Sequence, residues 1–355
     1  MAYTTIDDAS AYFQTLIYTG AGGTADAVVN TGNSDLQPDL IWIKDRGATN
    51  GHGVQDTSRG IAKVLFTNGP DYEDQYSNTL VSSVQSDGFT MPNNANSNNN
   101  TNTYVAWQWK ANGGTRTTNA ESGNNPAGGY QVNTTAGFSI VDYVGTGAAG
   151  TMAHGLGVVP NVIIIKNRDV ADAWAVYHGS NTAAPATDYL ILNTNTDTAD
   201  DAAWWNDTAP TSSVFTVNTD HAVNADAENY IAYCFTEIQG YSKIGGYVSN
   251  NNANGPFVYT GFKPAFVMTK LNTTDGSAWR IYDNKREGYN GANDFLGVES
   301  SGAENAAASQ MDLVSNGFKL VTAEGDANYN DLPAIYMAFA ETPFVTSSGV
   351  PATAR

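Results

Sequence analysis

The groups that could do chemistry in this chain are four histidines, one cysteine and a surplus of carboxylates, 35 Asp and Glu against 16 Lys and Arg. His52, His154, His178 and His221 keep no metal-ligand spacing with one another or with Cys234. "HGLG" at His154 reads as a glycine-rich turn, and Cys234 lies inside the apolar run "YIAYCF", as a core residue would. There is no Gly-x-Ser-x-Gly elbow, phosphate loop or dinucleotide fingerprint. A glycosidase needs a carboxyl whose pKa is raised by burial. The acids nearest to apolar strands, Glu237 and Glu341, read as strand ends. "NTDTADD", Asn195 to Asp201, offers oxygen ligands for calcium but lacks the Asp-x-Asp-x-Asp-Gly pattern with its distant glutamate, and reads as a solvated loop. These residues predict no enzyme, no metal site and no cofactor, which leaves recognition or a purely structural role.

Two stretches suit recognition. Exposed aromatic rings stack on sugars, which makes Trp204 and Trp205 in "AWWND" candidates; the other reading puts one indole in a core and the second at a contact between modules. The loop "PNNANSNNNTN", Pro92 to Asn102, brings a donor and an acceptor on every asparagine, and Asn98, Asn99 and Asn100 are its candidates for glycan hydroxyls.

Such side chains need a scaffold, and the scaffold repeats. "PDLIWIK" from Pro38 returns as "PNVIIIK" from Pro160 and "PAFVMTK" from Pro264. Upstream of each stands a tyrosine: Tyr18, Tyr143 or Tyr247. Downstream come "SDGFTM", "SSVFTV" and "SNGFKL", and then an aromatic strand, "YVAWQW" from Tyr104, "YIAYCF" from Tyr230 and "YMAFAE" from Tyr336. Each seven-residue run reads as a core strand begun by a proline that cannot join the ladder and ended by a lysine that carries its ammonium to solvent. Asp56 with Arg59 and Asp283 with Arg286 repeat an Asp-x-x-Arg spacing, replaced by His178 and Asn181 in the second copy, and read as a local turn brace.

Alternating strands and Gly/Asn/Ser turns predict an all-β chain of three tandem antiparallel β-sandwich (jelly-roll-like) modules. The expected divisions are a first repeat at 1–110, a Gly/Asn/Thr-rich connector at 111–136, repeats at 137–240 and 241–344, and a tail at 345–355. The connector permits the first module to move relative to the others, whereas "CFTEIQGYSKIGGY" leaves almost no slack between the second and third. A net charge of -19 repels phosphate, which argues against nucleic acid. No run of 18 apolar residues occurs, so no membrane span is expected.

With "PDLIWIKDR", "DTSRG", "NTNTYVAWQWK", "HGLGVVPNVIIIKNR", "GPFVYTGFKPAFVMTK" and "IYMAFAETPF" in order, the chain resembles modular, tail-fibre-like proteins encoded by tailed bacteriophages, particularly marine ones. The likeness runs from about Tyr12 to Phe344 and brings no catalytic motif with it. It implies a virion protein, assembled with other virion proteins on the particle surface as a homo-oligomer, by analogy a trimer. Host-surface glycan recognition is the first function expected, and a capsid decoration, cement or connector role the alternative.

Overall fold

A computed structural model describes residues 3–73, 79–286, 294–306, 310–323 and 325–351. The three proline-to-lysine runs form the core strands Leu40–Asp45, Val162–Asn167 and Phe262–Leu271. Pro38 and Pro160 precede their strands, while Pro264 lies inside its own at a register shift, where a missing N–H is tolerated.

One strand order recurs around these three. An opening strand (Phe13–Thr19, Phe138–Val144 or Ser242–Val248) pairs with a closing strand (Thr103–Trp109, Asn229–Phe235 or Pro333–Pro343). The closing strand pairs with the core strand, which turns into a hairpin partner (Gly53–Asp56, Trp174–His178 or Arg280–Asp283) and then a fourth strand (Leu65–Phe66, Asp188–Ile191 or Leu296–Gly297). Every pairing is antiparallel, and the fold is all-β. A small second sheet accompanies each large one, built on Phe89–Met91, Val214–Val217 and Gly317–Leu320. The pairing of first with last strand is nested as in a jelly roll, but the hairpin partner stays in the large sheet instead of crossing to the small one.

The stretch 111–136, expected as a slack connector, instead supplies Thr117–Asn119 and Ala127–Asn133, two strands added to the outer edge of the second sheet. Its glycines serve that pairing. A Cβ on Gly128 would stand 2.0 Å from the Asp142 carbonyl oxygen.

The core strands are buried at every residue from Leu40, Val162 and Phe262 onward, with no polar-out alternation. In the first, Ile41 and Ile43 pack toward the small sheet, while Leu40 and Trp42 join a cluster that draws side chains from all three repeats. Both faces of each large sheet are therefore covered, which is why these runs are continuously apolar. At the centre Trp109, Phe235 and Phe339 form a triangle with ring centroids 5.6–6.2 Å apart. They occupy the same position on their closing strands, because Lys44 is opposite Val105, Lys166 opposite Ile231 and Lys270 opposite Ile335. The register places Ala334, not Tyr336, at the position of Tyr104 and Tyr230. Sequence matching slips by two residues here because a strand pattern of period two fits itself after such a shift.

The three lysines do not reach solvent. Lys44, Lys166 and Lys270 are fully buried and donate to carbonyls of the loop that follows each strand or packs on it: Asp45 and Ala48, Asn167 and Val170, Asn195 and Ser277. Burial pushes each pKa down to about 8, against the pull of nearby carboxylates. The run ends in a charge because the ammonium carries three N–H donors that tie together the carbonyls of a neighbouring loop.

The Asp-x-x-Arg pairs are junctions between repeats as well as turn braces. Asp56 and Arg59 pair at 2.5 Å with both side chains fully buried, and Asp56 accepts the hydroxyl of Tyr233 from the second repeat. Arg59 reaches Glu73, which binds Arg168 of the second repeat. Asp283 and Arg286 pair at 2.6 Å, and Asp283 accepts Trp107 Nε1 of the first repeat. Arg286 reaches Glu304, which binds Arg46 of the first repeat. Between the second and third repeats the same places hold neutral groups: His178 Nε2 faces the Tyr336 carbonyl, and Asn272 Nδ2 and Thr198 Oγ1 meet Asn181. The backbone bond under each junction is identical in kind, from Glu73, Thr198 and Glu304 N–H to the carbonyls of Arg168, Asn272 and Arg46. First repeat to second, second to third and third to first, the contacts close a ring about a pseudo-threefold axis.

The neutral junction carries a pH dependence. Burial pushes His178 down to about 4, below its ordinary 6.5, so the folded chain refuses a proton that the unfolded chain takes up. His178 therefore contributes fully above pH 6.5, and its contribution is lost as pH falls from there toward 4, amounting to about 3 kcal/mol. Urea unfolding across that window should show a shallower loss in His178→Gln than in the parent protein. An unchanged slope would remove His178 as its source.

Candidate functional site

The loops at the end of each repeat remote from the aromatic triangle are built on one buried asparagine. Asn98 accepts the N–H groups of Ala21 and Gly22 on Oδ1 and donates through Nδ2 to Gly23, Pro92 and the Asp26 carboxylate. Asn224 accepts Thr146 N–H and donates to Ala148 and Asn218. Asn328 accepts Asn250 N–H and donates to Asn252 and Thr322. All three are fully buried and cross-link the loop after the opening strand to the loop before the closing strand. The loops approach closely: a Cβ on Gly20 would lie 2.2 Å from the Asn99 carbonyl oxygen, and one on Gly145 would lie 2.0 Å from that of Ala225. Because a rotation about the axis preserves height along it, the three loop pairs face the same way.

Of the residues singled out in the sequence, Asn99 and Asn100 are exposed at such a tip. Asn98 is the brace beneath them, its amide used up within the loop, so it cannot also serve a ligand. Trp204 and Trp205 do not offer a sugar platform. Both are buried; Trp204 stacks on Tyr189 at 3.7 Å and Trp205 donates to the Asp188 carbonyl. They cap the second repeat's own core, between Tyr177 and the short helix Ala202–Trp205 that carries them.

A cleft with exposed aromatic surface lies at the opposite end. It measures about 450 Å³ and is lined by Tyr3, Tyr259, Thr260, Gln239, Glu237 and Lys243. Tyr259 is 53% exposed, and its hydroxyl lies 3.2 Å from that of Tyr3, which donates to the Gly261 carbonyl. Glu237 and Lys243 pair at 2.7 Å along one wall. Tyr3 and Tyr259 are 256 residues apart, so no local pattern announces the pair.

The acids weighed for hydrolysis sit in ion pairs at strand ends, Glu237 with Lys243 and Glu341 with Lys263. Among the described residues no group of three His, Cys, Asp or Glu side chains is placed to hold a metal ion. His154 closes its turn, accepting Leu156 N–H and facing the Thr211 carbonyl. No helix among the described residues is long and apolar enough to cross a membrane.

Residues 8–343 match the family described as domain of unknown function (DUF7483). The chain belongs to that family. The matched region begins just before the first opening strand and ends with the last closing strand, so the family unit is the whole ring. No curated protein and no solved structure matches this family member.

Proposed function

We propose that this protein is a non-enzymatic surface protein of a tailed-phage particle that contacts host-cell glycans through its three loop pairs. The observation that carries the reading is the threefold recurrence of the buried asparagine, Asn98, Asn224 and Asn328, which fixes polar loop tips on a rigid ring at one end of the molecule. Loops held this way by a scaffold are the usual place for recognition. Asn99 and Asn100 offer paired donors and acceptors, the chemistry that hydroxyl-rich ligands need. One chain already sets three such tips around an axis, so weak single contacts gain by multivalency even before a homotrimer of this chain forms or other virion proteins join it. The phage assignment itself rests on the likeness of repeat order.

A glycan array with the folded protein is the test. Binding is expected, and the double substitution Asn99→Ala with Asn100→Ala should weaken it by about tenfold without moving the melting temperature. Absence of binding to every glycan, together with particles that fall apart when the protein is left out, would replace this reading with a decoration or cement role.

A further inference from the structure

The junction between the third and first repeats holds a half-open cavity of about 160 Å³ whose counterpart in the junction between the first and second is filled by the chain itself. The filling group is Gln131, on the added strand Ala127–Asn133. Its amide nitrogen, Nε2, donates to the hydroxyls of Thr57 and Ser58, and its Oε1 accepts the N–H groups of Asn112 and Gly114. Asn133 on the same strand donates to the Lys110 carbonyl. By the repeat register, Thr57, Ser58, Lys110 and Asn112 correspond to Asn284, Lys285, Ala340 and Thr342, and all four of these line the cavity. Gln131 stands opposite Ile140, whose counterpart Thr15 also lines it.

Two further differences leave this place open. The opening strand Phe13–Thr19 is an edge of its sheet, with no counterpart of Ala127–Asn133 beside it. Ala265 stands where the other repeats have Asp39 and Asn161. Asp39 accepts the Ala111 and Gly113 N–H groups and the Thr57 hydroxyl, and Asn161 accepts Glu237 N–H and the Thr236 hydroxyl; alanine can do neither. Thr15 is 4% exposed, and its hydroxyl and the Asn284 side-chain oxygen are buried without a hydrogen-bond partner. A buried polar group without a partner costs stability, so a site that carries two of them is built for something that supplies the missing bonds.

We propose that the edge Thr15–Thr19 and this cavity accept an extended segment of a partner polypeptide, added antiparallel to the sheet, with a glutamine-like amide entering the cavity opposite Thr15. Strand addition supplies main-chain hydrogen bonds, and the cavity selects the side chain. The loop Thr31–Asn33 closes the cavity beyond Thr15, so the amide comes at the end of the added strand. This attachment site lies near the triangle end of the strands and stands apart from the loop tips; either reading can fail without the other.

The chain's own sequence gives the probe. A synthetic peptide of residues 127–131, Ala-Gly-Gly-Tyr-Gln with an amidated end, is titrated into the full-length protein while the backbone amide signals of residues 13–19 are followed by NMR. Saturable shifts confined to that edge are expected, with a peptide carrying Ala in place of Gln binding about fivefold more weakly. Thr15→Val should abolish the preference for Gln while leaving the fold's other amide signals in place; if it unfolds the chain, Asn284→Leu serves instead. Equal binding of both peptides, no saturation at millimolar peptide, or concentration-dependent pairing of two protein copies along Phe13–Thr19 would each overturn the proposal.

Discussion

Asp283→Ala should destabilise the protein by roughly 3–5 kcal/mol, because it strands a buried guanidinium. Arg286 is fully buried and pairs with Asp283 at 2.6 Å; its other contacts among the described residues are Glu304, the Ile281 carbonyl and the face of the Trp107 ring. The same change removes the acceptor of Trp107 Nε1, so a second buried donor loses its bond. The cost comes mainly from the uncompensated charge and not from the net worth of the pair. Asp283→Ala combined with Arg286→Met should therefore be milder than Asp283→Ala alone when both are measured by urea unfolding. A double variant worse than the single one would show that the pair's attraction, and not its desolvation, dominates. Asp56→Ala should behave like Asp283→Ala, since Arg59 and Tyr233 repeat the arrangement. Asn181→Ala, in the neutral junction, leaves no charge behind and should cost about 1–3 kcal/mol.

The second large effect is expected at the axis. Phe235→Ala should cost roughly 3–5 kcal/mol, the range for emptying a buried phenylalanine site in a packed core. Phe235 stacks on Phe138 at 4.8 Å and meets Trp109 and Phe339, so the void would open toward all three repeats at once. Its neighbours come from three separate sheets and cannot collapse onto it without moving a sheet, which places the cost toward the upper end. Thermal unfolding should remain a single transition at a lower temperature. Splitting into separate transitions would mean that the repeats are independent units that merely touch.

Much of the scaffold was legible in the sequence, because the proline, apolar run and lysine locate a core strand in all three repeats, although Pro264 falls inside its strand and does not start it. The fate of the second sheet face was not. A continuous apolar run such as Ile163–Ile165 fits a strand covered on one side by its own small sheet and on the other by a neighbour, but the run does not say what the neighbour is. The buried lysines were misread for the same reason: a charge at a strand end points to solvent only when the next layer is water, and here it is a loop that turns carbonyls toward the ammonium. Trp204 and Trp205 looked like a surface feature because Asp and Asn surround them, yet the short helix turns both indoles inward onto Tyr189 and Tyr177. Asn98 was singled out from a run of asparagines that the sequence cannot rank; only the crossing of two loops distinguishes the brace from the exposed tip. The cleft at Tyr3 and Tyr259 and the cavity at Thr15 and Asn284 join residues from opposite ends of the chain, and nothing local could have foretold them.

The claim on which the rest depends is that three repeats share one interior. Native-state amide hydrogen exchange, read peptide by peptide in Phe235→Ala against the parent protein, tests it most directly. Faster exchange by a common factor in Leu40–Asp45, Val162–Asn167 and Phe262–Leu271 is the predicted result. Acceleration confined to Val162–Asn167, with the other two core strands as protected as before, would contradict it.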